Sequence, residues 1–356
     1  MTKKKRICLA GYYGQNLGDI LFLEILDKYF GSNPRAEIVS VLSFGSELDR
    51  VIYQQLRNKN VKIFYSQRLK RLRKYRELFA HYRSIDVLVW GGGSCFQNKQ
   101  GGAGLGAFLL AFLMGKKIVY LGVGIERITR LYPLLVLLMS IAISDQFIVR
   151  DASSYKSATD LTRAFGLLRF FRNKFKIIPD LSVLTDQKFS FNVERENRLI
   201  IGFRDDDEGA FGKTIFDLIE NCKVLFEFEE ILIVPIDDEK DLVFNRKIFD
   251  DLVSKGFIVE FRKGLTLHEK LDLFSSASLL LTSRLHAALL SLFFQTPFYV
   301  MNYSKKIQVL SEIFGFQSRV LEKDSSVGQD ILTLEAVNKN VGQMKVETLR
   351  ILDELF

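Results

Sequence analysis

A chain of 356 residues with 48% hydrophobic and 26% charged content is long enough to bury two cores of ordinary size. Its net charge of +8 favours anionic partners such as phosphate compounds, acidic glycans, nucleic acid or a membrane surface. Cys8, Cys95 and Cys222 are scattered, odd in number and without metal-ligand spacing, which excludes a disulfide scaffold and reads as reduced thiols in a cytoplasmic protein.

The basic stretch Lys3–Arg6 is followed only by Ile7–Ala10 before a glycine, too short an apolar run for a signal peptide. Residues 6–11 predict a strand that runs into Gly11-Tyr12-Tyr13-Gly14-Gln15-Asn16-Leu17-Gly18-Asp19, with a helix beyond. Strand, glycine loop and helix open a Rossmann-like half. The spacing is not that of a nicotinamide fingerprint, and no acidic residue ends the next strand. Asp19 stands at the helix entrance with Asn16 beside it, as a cap or as a functional carboxylate.

Further strands are expected at 37–42 and 61–65, around a helix near 46–57. Residues 68–83 (RLKRLRKYRELFAHYR) predict a strongly basic helix, which is either a solvated face or a surface for anionic lipid headgroups. The strand 86–90 ends in Gly91-Gly92-Gly93, a side-chain-free surface at the carboxyl end of a parallel strand, with Gln97 as a polar contact nearby. A strand at 117–121 closes on Gly122-Val123-Gly124, and one at 145–149 closes on Arg150-Asp151. The apolar segments 103–114 and 131–143 fall short of the roughly 20 residues that span a bilayer and are read as buried helices. Asp180, after a strand at 176–178, is placed to orient Arg150, to meet a substrate hydroxyl, or simply to form a turn.

The polar segment 186–197 reads as a linker. Strands and helices then alternate again, with strands at 199–203, 230–235, 257–261, 279–281 and 298–301. Gly212-Lys213-Thr214 lacks the earlier glycine of a phosphate loop and is set aside. At Thr282-Ser283-Arg284-Leu285-His286 an apolar strand gives way to a helix, with Ser283 as the expected N-cap. Arg284 and His286 then fall in the first turn, beside the unpaired backbone N–H groups. A helix N-terminus with a guanidinium suits an anion, and an imidazole there suits proton transfer near neutral pH. The fold class is thus α/β, two Rossmann-like domains facing a cleft (GT-B-like). The domains are expected at 1–185 and 198–330, with a helix in 331–356 returning to the first.

The segments GYYGQNLGD (11–19), WGGGSCFQ (90–97), LGVGIE (121–126), VRDASS (149–154), PDLS (179–182), TSRLHAALLS (282–291) and TPFYVMNYSKK (296–306) together resemble the polysaccharide pyruvyl transferase family. The resemblance implies a pyruvyl transferase of exopolysaccharide or capsule synthesis. It would move the pyruvate group of phosphoenolpyruvate onto a sugar, as a ketal, on a cell-surface polysaccharide or its polyprenyl-diphosphate-linked precursor. It also implies donor binding by Arg284, Leu285, His286 and Arg150. The first loop departs from the family after Gly18-Asp19, where Ile20-Leu21 follow.

A donor bearing phosphate and carboxylate calls for at least two cations, and Arg150 and Arg284 offer planar two-point donors, with Lys306 a third. His286 is the expected general acid or base, worth about 10²–10⁴-fold in rate. Asp19 is the alternative activator of the acceptor hydroxyl. Asn16, Gly92, Gly93 and Gln97 are the acceptor-side candidates. No cofactor or metal is called for, and nucleic acid is not an expected partner. The protein is placed in the cytoplasm, peripheral on the inner face of the cytoplasmic membrane through 68–83. The competing reading is a GT-B glycosyltransferase with a nucleotide-sugar donor, in which Glu269 or Asp272 would hold the ribose.

Overall fold

The computed structural model describes residues 3–14, 16–45, 56, 58, 60–65, 72–98, 104–185, 195–205, 214–226, 228–322 and 334–356. The helix expected near 46–57, the first residues of the basic helix, most of the linker and Gly212-Lys213 lie outside the described residues. The chain forms two compact units. One comprises Met1–Gly14, Gly18–Leu184 and Met344–Phe356, the other Gln15–Leu17 and Thr185–Gln343.

In the first unit, strands β1 (Lys5–Gly11), β2 (Ala36–Ser43), β3 (Lys62–Tyr65), β4 (Val87–Gly91), β5 (Ser94–Phe96), β6 (Lys117–Ile125), β7 (Gln146–Val149) and β8 (Phe175–Ile177) form a parallel sheet. The order is β3-β2-β1-β4-β6-β7-β8, with β5 paired to the far end of β6. Its helices are α1 (Leu17–Ser32), α2 (Leu72–Tyr82), α3 (Leu105–Leu113), α4 (Leu131–Ile143) and α5 (Ala152–Ala164). Because side chains alternate along a strand, each strand serves two cores. Cys8, Leu88, Trp90 and Tyr120 pack under α2 to α5, while Ile7, Leu9, Val89 and Val119 pack under α1.

The second unit repeats the device with β9 (Glu196–Gly202), β10 (Glu230–Ile233), β11 (Val259–Phe261), β12 (Ala277–Thr282), β13 (Phe298–Met301) and β14 (Val320–Leu321). Their order, β11-β10-β9-β12-β13-β14, is the doubly wound one. The helices are α6 (Thr214–Phe226), α7 (Leu242–Ser254), α8 (Leu267–Ser276), α9 (Leu285–Phe293) and α10 (Lys305–Phe314). Helix α11 (Leu334–Leu355) follows, and its residues Ile351, Leu352 and Leu355, with Phe356, complete the α1-side core of the first unit. There Tyr29 donates to Asp353 (2.8 Å) and Lys117 to the Leu355 carbonyl (3.0 Å).

Three expectations are corrected. Strand β6 does not close at Leu121: Gly122, with φ +64°, kinks it and it runs on to Ile125. Ser94–Phe96, where no element is expected past the glycine turn, is strand β5. Helices α3 and α4 are not wholly buried. Each packs one face on the sheet and turns an apolar face outward, including Leu113 at 73% and Leu131 at 70% exposure. Among the described residues no helix is long and apolar enough to cross a membrane.

Candidate functional site

In each sheet the strand order reverses once, between β1 and β4 and between β9 and β12, and the carboxyl ends at such a point are where open α/β sheets take ligands. The first unit makes this edge almost bare. Gly92 and Gly93 follow β4 with φ of +75° and +80°, a pair of left-handed positions that only glycine takes without strain. A Cβ on Gly93 would stand 3.5 Å from Asp19 Oδ1, so the α1 carboxylate lies over the glycine turn. Tyr12 is close by: burial first, then the charges of Cys95 and Asp19, push its phenol well up. Gln97 is half-buried just past β5, and Asn16 is half-buried ahead of α1.

Arg150 lies deeper than expected. It is 3% exposed, donates to Ser94 Oγ (2.9 Å), and pairs with Asp151 (3.4 Å) and Asp180 (3.5 Å). Its guanidinium lies flat on Gly124, where a Cβ would come within 2.6–2.8 Å of it. The N-terminus of α5 is already met by Asp151, whose carboxylate accepts from Ser154 N (2.6 Å). The expectation of an open anion site at this helix entrance is therefore revised. The contacts of Arg150 tie β5, β7 and the Asp180 turn together over Gly124 of β6. Asp180 pairs with Arg150 and also accepts from Ser182 N (3.1 Å) within its own turn.

The second unit's edge is built differently. Ser283 is not the N-cap of α9: that position is Arg284, whose side chain does not cap. Ser283 Oγ instead accepts from Arg204 N (2.9 Å), and Thr282 Oγ1 donates to the Gly202 carbonyl (2.7 Å) and accepts from Arg284 N (2.9 Å). These bonds fix the end of β12 to the end of β9 and leave the first-turn amides of α9 without a side-chain cap. His286 sits in that turn, 9% exposed, and Leu285 is buried beside it.

The Arg284 guanidinium forks onto Asp241, Nε to Oδ2 at 2.9 Å and Nη2 to Oδ1. Asp241 is fully buried at the entrance to α7 and also accepts from Asp237 N (2.9 Å). Burial raises the Asp241 carboxyl above its ordinary value, against the pull of Arg284. Burial likewise opposes the charge on Arg284, but Asp241 and then Asp237 outweigh it and hold the proton more firmly than usual. A two-point fork fixes the guanidinium plane. Around it, Arg204 stacks over Tyr303 at 4.2 Å, and buried Lys270 donates to Asp238 (3.1 Å) and the Ile236 carbonyl (3.1 Å). Lys306 is half-buried in the first turn of α10.

Asp241 is the residue that sequence reasoning missed. The run Asp237-Asp238-Glu239-Lys240-Asp241, just past the carboxyl end of a parallel strand, is the signal that could have found it. Glu269, weighed as a ribose ligand, is committed to a capping box: it accepts from Thr266 N and Oγ1, each at 2.7 Å. Among the described residues no group of three or more His, Cys, Asp or Glu is placed to hold a metal ion.

Among solved structures, the chain is similar to UDP-GlcNAc 2-epimerase from Methanocaldococcus jannaschii, at 13% identity and a TM-score of 0.62 over 99% of both chains. It is also similar to the Neisseria meningitidis UDP-GlcNAc 2-epimerase bound to UDP-GlcNAc, at 12% identity and a TM-score of 0.59 over 98% of both. Identities this low speak for a shared GT-B-like fold of two Rossmann-like units and no further. A search of curated proteins gave no match. The sequence does match the family model described as polysaccharide pyruvyl transferase over residues 16–305, a span that takes in the glycine edge of the first unit and the Arg284–His286 edge of the second. The chain therefore belongs to the polysaccharide pyruvyl transferase family.

Proposed function

We propose that the protein transfers the pyruvate group of phosphoenolpyruvate to two hydroxyls of a sugar, on a cell-surface polysaccharide or its lipid-linked precursor. The observation that carries this reading is the Asp241-held guanidinium of Arg284 at the uncapped N-terminus of α9, with His286 in the same turn. The fork with Asp241 uses the Nε and Nη2 edge, and the Nη1 edge together with the first-turn amides suits a phosphate or carboxylate. Lys306 supplies a further cation.

The reaction needs a proton on C3 of the enol, which makes C2 electrophilic; His286 is the donor. One sugar hydroxyl adds to C2, the C–O bond to phosphate breaks, and the second hydroxyl closes the ketal. Of the two hydroxyl protons released, one balances the proton gained by C3 and the other leaves on inorganic phosphate. Asp19, above the Gly92-Gly93 turn, is the candidate base for the acceptor hydroxyl, with Asn16 and Gln97 as polar contacts. Arg150 acts here as a positioning residue, through Ser94 and Asp180.

The test is phosphate release from phosphoenolpyruvate with a panel of defined saccharides. Turnover is expected with one acceptor class and is expected to fall at least about 100-fold in His286→Ala; undiminished turnover in that variant refutes the mechanism. A nucleotide-sugar glycosyltransferase is the second reading, favoured by the UDP-GlcNAc named with the structural relatives. Thermal stabilisation by UDP and not by phosphoenolpyruvate would select it.

A further inference from the structure

Among the described residues, none covers the outer side of the α3–α4 layer. A surface helix ordinarily turns its polar face outward, yet α3 and α4 contain no charged residue. On α4, Leu131, Tyr132, Leu135 and Met139 recur at helical spacing with exposures of 70, 64, 42 and 42%. The adjacent α3 adds Phe112 at 47% and Leu113 at 73%. Single exposed apolar side chains need no explanation, but a continuous set across two packed helices marks a contact surface.

The charges at its borders identify what it contacts. Arg127 and Arg130 are exposed at the N-terminal end of α4. At its other end Lys174 donates to the carbonyls of Ile141 (3.3 Å) and Ala142 (2.8 Å). Residues 161–179 hold five basic and no acidic side chains, among them exposed Arg169, stacked at 4.6 Å on a Phe170 ring that is 61% exposed. The acidic groups nearby are few: exposed Glu126, Asp145, which accepts from Ile118 N, and Asp160, which is paired with Lys156 and Arg163. An apolar helical face bordered by arginine and lysine at both ends, with amphipathic tyrosine among them, is the pattern of a surface that lies in a bilayer interface.

We propose that the α3–α4 face docks the first unit on an anionic lipid bilayer, the apolar side chains entering the headgroup boundary and the border cations meeting lipid phosphates. This is a different surface from the basic helix 68–83, and it does not depend on the donor chemistry proposed above.

The test is co-sedimentation of the full chain with vesicles of phosphatidylglycerol and phosphatidylcholine, against vesicles of phosphatidylcholine alone. Binding to the anionic vesicles that weakens with salt is expected, together with a blue-shifted emission from Tyr132→Trp when they are added; the native Trp90 is fully buried. Leu131→Glu/Leu135→Glu, at exposed positions, is expected to cut binding at least about tenfold with an unchanged melting temperature, and Arg127→Glu/Arg130→Glu by roughly tenfold. Absence of binding to anionic vesicles, or binding that both double variants leave intact, overturns the proposal. So does a concentration-dependent dimer that Leu135→Glu abolishes while vesicle binding is absent, which would make a second copy the occupant.

Discussion

Arg284 and Asp241, 43 residues apart in sequence, meet as a two-point fork at the point where the second sheet reverses its strand order. The aspartate is fully buried, so the pair is fixed by the fold and needs no ligand to form.

Removing one partner of a mostly buried pair strands the other charge. Asp241→Asn is expected to cost about 2–3 kcal/mol in urea unfolding and to weaken any anion that stabilises the protein. Arg284→Lys is expected to lose that anion effect too, because an ammonium cannot reproduce the planar fork. An Asp241→Asn protein with full stability and full anion response would show the pair to be idle.

Gly124 is tested by its own missing side chain. Gly124→Ala places a Cβ into the Arg150 guanidinium, which is buried and held by Ser94, Asp151 and Asp180. A loss of about 1–3 kcal/mol is expected, read from the chemical denaturation midpoint. The same substitution at Gly166, where nothing stands within 4 Å of the Cβ, is the control for its space, though φ +68° there adds backbone strain.

His81 carries a pH dependence of the first unit. Its Nε2 meets Ser40 Oγ at 2.7 Å, and burial, then Lys62 and Arg6, lower its pKa from 6.5 to about 4. Between those values the unfolded chain binds a proton that the folded protein does not, so stability is full above 6.5 and declines as pH falls toward 4. The contribution is roughly 1–2 kcal/mol after allowing for solvent near the ring. His81→Gln is expected to flatten the stability difference between about pH 7 and about pH 5; an unchanged slope would assign it to other groups.

All three cysteines are buried and free, and burial pushes the Cys8 and Cys222 thiols up to about 12. None is expected to react with a thiol reagent in the native protein, and all three after unfolding. Rapid labelling of the native protein would point to opening of a core.

Much of this was legible in the residues. Apolar runs of strand length, closed by glycine or by an Arg-Asp pair, gave both parallel sheets, because a strand buried on both faces must be apolar throughout. The Arg284-Leu285-His286 turn was legible because strand and helix patterns abut there. What escaped was set by tertiary context. Ser283 has the chemistry of an N-cap, yet its hydroxyl turns to Arg204 N across to β9, a partner that no local window contains. Asp241 and Arg284 are linked only by topology. Arg150 looked like a surface donor because nothing in Val-Arg-Asp announces that Gly124 makes room to bury it.

Residues 344–356 belong to the core of a unit that otherwise ends at Leu184. As the chain leaves the ribosome, the first unit therefore waits, its α1-side core unsealed, until the entire second unit has been synthesised. The order of assembly is a clasp and not a sequence of independent beads: the early-made half is completed by the late-made helix.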